Sequence, residues 1–155
     1  MNSWKCFGNF KIFLTKFKRL KNRVTKLKEI HKNLHLTLST AAILVVGATY
    51  GLYPNTFLPL FFDFDVGTTD LNHVFRAIMG SYFALGIYWG YGAYFQKHWR
   101  GATYSVVFFM GGLAVGRLLS ILVDGIPSTA FTVGTVLEII FVVWGCYNLK
   151  TFKDR

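Results

Sequence analysis

Four apolar stretches govern what this chain can fold into. Residues 34–53, 71–95, 102–123 and 129–149 each run close to the ~20 residues that a helix needs to cross a ~30 Å hydrocarbon core. A mean hydropathy of +0.40, with 53% hydrophobic residues in a chain of 155, is too apolar for an ordinary soluble domain of that size. The expected fold is therefore all-α, an integral membrane four-helix bundle.

Charge placement predicts how such a bundle is oriented. The formal net charge is +10, but ten of the seventeen Lys and Arg residues lie between Lys5 and Lys32. Lys97 and Arg100 follow the second stretch, and Lys150, Lys153 and Arg155 follow the fourth. The alternate connectors carry Asp63, Asp65, Asp70 and Asp124 and no basic residue. Because basic residues concentrate in cytoplasmic flanks, both termini are expected in the cytoplasm, with the protein in the bacterial inner membrane. The predicted organisation is a basic arm over 1–33, the bundle over 34–149 and a short tail over 150–155. No small-residue cleavage site follows the N-terminal basic residues, so the arm does not resemble a cleaved signal peptide. Cys6 and Cys146 lie in different regions, without CxxC or a neighbouring His cluster, and predict neither disulfide nor metal.

Within the arm, Phe10, Phe13, Phe17, Leu20, Val24 and Leu27 recur three and four residues apart, with Lys and Arg between them. That period makes one apolar stripe along a helix. A basic amphipathic helix of this kind suits the anionic lipid of the inner membrane face or a partner subunit. Nucleic acid is disfavoured, since stacking on single strands requires no helical period.

Three charges fall inside the apolar stretches: Arg76, Arg117 and Glu138. Each costs at least ~2.5 kcal/mol at the bilayer centre, so such residues are normally paired and turned inward. Counted from the acidic connectors, Arg117 lies seven residues below Asp124 and Glu138 nine below Thr129, which puts them at comparable depth. Glu138 is the expected partner of Arg117 across the short DGIPS hairpin. Arg76 is expected to reach toward Asp70, with His73 one turn above it. Together Arg76, His73, Arg117, Asp124 and Glu138 form a candidate polar pocket: a structural charge network, a site for an anionic or polar-headed ligand, or a route for proton or ion movement through Glu138. Two arginines against one deeply placed acid leave positive charge over.

No serine has a His and an acid at triad-like spacing, and no glycine-rich loop precedes a soluble helix, so catalysis is not expected. His35 and His73 are single histidines near opposite ends of the apolar stretches and are expected to be interfacial. The connector FLPLFFDFDV is too aromatic for a solvated loop and is expected to lie on the membrane, on a neighbouring subunit or on the bundle.

The run LNHVFRAIMGSYFALG, then GGLAVGRLLSILVDGIPS, then a glutamate in the next stretch resembles the small four-span bacterial membrane proteins grouped as domain of unknown function 4345. Phe75, Arg76, Gly80, Gly112, Arg117, Leu118, Ser120, Gly125, Pro127 and Glu138 carry the resemblance, over residues 34–149. It implies a four-helix membrane bundle with a charged trio and no stated activity. The bundle also looks loosely similar, at the level of fold, to DoxX and DoxD type membrane subunits. The function expected from the chain is that of a non-enzymatic accessory subunit of a larger membrane protein complex. The alternative is a membrane protein that binds lipid or quinone at the charged pocket; no other cofactor is expected.

Overall fold

The computed structural model describes the backbone of residues 3–62 and 66–152, with side chains at 16–21, 23, 30, 32–62 and 66–152. It divides into two compact units, Met1–Lys32 and Asn33–Arg155. Helix α1 (Ser3–Gly51) begins in the first and ends in the second. The second unit continues with α2 (Pro54–Phe61), α3 (Thr69–Tyr94), a 3-10 turn at Gln96–His98, α4 (Trp99–Asp124) and α5 (Thr129–Thr151).

In the first unit, Phe17 and Leu20 of the predicted stripe are exposed. The side chains of Phe10, Phe13, Val24 and Leu27 lie outside the described residues.

In the second unit the helices pack along three-and-four stripes. On α1 the buried positions include His35, Leu36, Ser39 and Ile43. On α4 they include Trp99, Thr103, Val106, Met110 and Ala114, and on α5 Thr135, Glu138, Gly145 and Asn148. One shared core joins Leu36 and Ile43 of α1, Trp89 of α3, Val106 and Met110 of α4 and Leu149 of α5. The outward residues of these helices, among them Val45, Ile87, Phe108, Leu119 and Val143, are apolar and exposed, the inverse of a soluble surface.

Among the described residues, three helical segments are long and apolar enough to cross a membrane: Lys32–Gly51, Gln96–Asp124 and Thr129–Thr151. The second apolar stretch, 71–95, forms α3, 26 residues long, but it is not among them. Its first turns are diluted by Asp70, Asn72, His73 and Arg76, and its remainder by glycine and tyrosine.

Local signals explain the ends of the elements. The Thr68 hydroxyl caps α3 by accepting from the Leu71 N–H at 3.3 Å, and Asp70 in the first turn favours the helix dipole. Gly125 ends α4 at φ +93°, the left-handed region in which glycine alone carries no steric cost. Pro54 opens α2, where the missing N–H has no helical partner to lose. The aromatic connector is therefore partly a helix packed on the bundle: Leu58 is buried, and Phe62 lies 4.3 Å from Phe131 between ring centroids.

His35 differs from its expected interfacial setting. It is fully buried, and its Nε2 donates to the Phe141 carbonyl at 3.0 Å. The ring lies against Phe141 and Trp144 and fills the space left by Gly145, where a Cβ would come within 3.1 Å of it. A histidine at the end of an apolar run is placed here by helix packing rather than by the interface.

One close helix approach is at the α3–α4 turn. A Cβ on Gly92 would stand 2.3 Å from the Cβ of Ala102, whereas one on Gly80 would meet nothing within 4 Å. Gly92→Ala should force the two helices apart and cost about 1–3 kcal/mol. Gly80→Ala should be neutral or slightly stabilising through helix propensity. Thermal melting of both variants in mild detergent checks this; equal melting temperatures would contradict the close approach.

Candidate functional site

The stripe that packs α4 onto α5 runs on through Arg117, seven residues after Met110, and the α5 stripe passes through Glu138, seven after Phe131. Both side chains thus point into the helix interface, about 10 and 13 Å along the axes from the Gly125–Ser128 hairpin. There Arg117 Nε donates to Glu138 Oε1 at 3.1 Å. The guanidinium also lies over the Phe131 ring, 5.0 Å from its centroid, an arrangement favoured by the ring quadrupole. Gly134 leaves room for it, since a Cβ there would stand 3.4 Å from Nη1.

Glu138 is 7% exposed. Its second oxygen, Oε2, is buried and accepts no hydrogen bond among the described residues. A buried acceptor left unmatched costs roughly 1–3 kcal/mol, more when charged, so the position favours a donor.

The pair borders a cavity of about 320 Å³, within the range of small-molecule sites. Its walls are Ile43 and Val46 of α1, Met110 and Leu113 of α4 and Leu137 and Phe141 of α5. Helix α2 closes one side with Phe57, Leu58 and Phe61. Two phenols share the floor. Tyr50 lies beside the Arg117 guanidinium, with its ring 6.0 Å from that of Tyr82. Val45, Val46, Phe61 and Leu137 line the cavity and are also exposed outside the bundle. The cavity therefore opens sideways, through an apolar rim. A second cavity of about 370 Å³ lies toward the hairpin, lined by Arg117, Ser120, Asp124, Pro127 and Thr135. Arg117 borders both.

The structure brings Arg117 and Glu138 together and sets Asp124 on the second cavity beside Arg117, exposed and without an ion pair among the described residues. His73 and Arg76 do not join them. Both are exposed on α3, and neither lines either cavity. The packed stripe of α3 passes through Asn72, Phe75, Met79 and Tyr82, and Arg76, one residue on, is turned about 100° away. The predicted surplus of positive charge is thereby removed from the pocket: inside it, one arginine meets one glutamate. Sequence reasoning missed Tyr50, Tyr82 and the α2 wall. The available signal was spacing, since Tyr50 falls seven residues after Ile43 and Tyr82 seven before Trp89.

Removing Arg117 leaves Glu138 buried and uncompensated, and removing Glu138 leaves the half-buried Arg117 without its counter-charge. Arg117→Met or Glu138→Leu should each destabilise the fold by about 3–5 kcal/mol, and the double variant should recover most of that loss. Melting of the three variants in detergent tests this; additive losses would contradict the pairing.

The family model described as domain of unknown function (DUF4345) matches residues 32–148. No curated protein and no solved structure matches the chain, and the looser likeness to DoxX and DoxD type subunits is not shown. The match spans α1 from Lys32 to most of α5, including the Arg117–Glu138 pair and the walls of its cavity, and the chain belongs to the DUF4345 family.

Proposed function

We propose that this chain is a four-span membrane protein that holds a lipid-soluble amphiphile, of lipid or quinone type, in the cavity at Arg117 and Glu138. The observation that carries this reading is the buried Glu138 Oε2, without a hydrogen-bond partner among the described residues, in a residue that lines a cavity with largely apolar walls. Apolar walls with a few convergent polar groups are the general form of a small-molecule site, and the exposed apolar rim suits entry from the acyl region of a bilayer. In this reading α3 is the fourth span, helped across by packing against α1 and α4. The basic flanks support a reading in which both termini lie on the cytoplasmic side of a bacterial inner membrane, with the hairpin and the cavity in the outer half.

Native mass spectrometry of protein extracted from its own membranes checks the proposal. Wild type should carry a small apolar molecule. Leu113→Trp, which fills the cavity wall, should lose it while remaining helical. A wild-type spectrum free of any bound small molecule would contradict the reading.

A second reading is favoured by a separate observation, the exposure of Phe17 and Leu20, 61% and 60%, on a basic helix. An arm of this kind serves an accessory subunit, resting on anionic lipid or on a partner within a larger membrane complex. A mild-detergent pull-down from native membranes should then recover a stoichiometric partner that deletion of residues 1–33 abolishes. Recovery unchanged by that deletion would remove the arm from assembly.

A further inference from the structure

Resting on the ligand-binding reading above, we infer that the cavity selects a neutral, hydroxyl-bearing lipid and discriminates against a phosphorylated or carboxylated lipid of the same chain. The argument begins with the charge count. Arg117 is neutralised by Glu138 at 3.1 Å, and Arg76, which would supply a second cation, is exposed on α3 away from both cavities. The floor therefore has no net charge to offer an anion. A phosphate brought into this apolar space would stand beside the Glu138 carboxylate, with Arg117 already engaged, and would lose its hydration without compensation.

The donor and acceptor pattern narrows the head further. A carboxylate paired with arginine accepts hydrogen bonds and donates none, and Glu138 Oε2 is buried without a donor. The group that satisfies it must bring an O–H or N–H. The Arg117 guanidinium gives Nε to Glu138 Oε1 and faces the Tyr50 hydroxyl as well, and its five donors still leave N–H groups for a further acceptor. A single hydroxyl meets both requirements, since its hydrogen goes to Glu138 Oε2 and its oxygen accepts from Arg117. An ester, an ether or an oxidised quinone carbonyl offers only an acceptor and would set its lone pairs against the carboxylate. The long apolar walls and the rim of Val46, Phe61 and Leu137 suit a hydrocarbon tail that emerges between α1, α2 and α5.

The test uses the full chain in detergent micelles and farnesol carrying a photoreactive diazirine at its tail end. Peptide mass spectrometry locates the cross-links. Unlabelled farnesol, farnesyl phosphate and farnesyl methyl ether, identical in chain and different only in head, then compete. Cross-links should fall on cavity-lining residues such as Val46 and Leu137. Farnesol should compete at concentrations about tenfold lower than either analogue, the discrimination expected of one buried hydrogen bond. In Glu138→Gln, which frees the Arg117 charge, the order of farnesol and farnesyl phosphate should invert. If farnesyl phosphate or the ether competes as well as farnesol in wild type, the inference is overturned while lipid binding stands. If none of the three heads protects the cavity from cross-linking, lipid binding itself falls. Should Glu138→Gln fail to fold, the three-way comparison in wild type decides the question alone.

Discussion

Everything specific in this bundle depends on one ion pair, between the buried Glu138 and the half-buried Arg117. Arg117 and Glu138 sit on stripes that otherwise carry only apolar and small polar residues, at a depth where each charge alone would cost at least ~2.5 kcal/mol in a bilayer. Their 3.1 Å contact holds α4 and α5 at one register, since sliding either helix by a turn would move its charge about 5.4 Å along the axis. The pair still leaves an acceptor over. Glu138 Oε2 has no donor among the described residues, and Glu138 lines a cavity. A pair serving only helix register would be expected to close both oxygens against protein.

How much of this was legible in the sequence differs element by element. The α4–α5 hairpin was fully legible: two apolar stripes joined by DGIPS, with a glycine and a proline at the turn, put Arg117 and Glu138 on facing helices at similar depth. Arg76 was misplaced because counting residues from a loop gives height along an axis and says nothing of rotation about it. One position past Phe75 was enough to turn it out of the bundle. The span expected at 71–95 is a helix, yet its polar opening turns keep it below the apolarity of its neighbours. Helix α2 was obscured by its two prolines, although Pro54 stands at a position where proline starts helices. His35 could not be placed from sequence, because its burial depends on a glycine 110 positions later, Gly145, across the bundle.

The chemistry of the pocket follows from these placements. With Arg76 outside, the floor is a neutral pair and two phenols beneath apolar walls, open to the side through Val46, Phe61 and Leu137. Such a site recognises a molecule by where it places one polar group at the end of a hydrocarbon body. Membership of the DUF4345 family covers the whole of this arrangement, whereas the basic arm precedes the matched region. The bundle and the arm can therefore be treated as separate questions: one concerns what lies within the helices, the other where the N-terminal helix rests.

The most direct test of the central claim is an experimental density map of the protein extracted together with its native lipid. The account predicts an elongated feature inside the cavity, ending within hydrogen-bonding distance of Glu138 Oε2, with its tail leaving between α1 and α5. A map in which side chains fill that space and Glu138 Oε2 accepts from a protein donor would contradict it, and would leave the Arg117–Glu138 pair as a purely structural clamp.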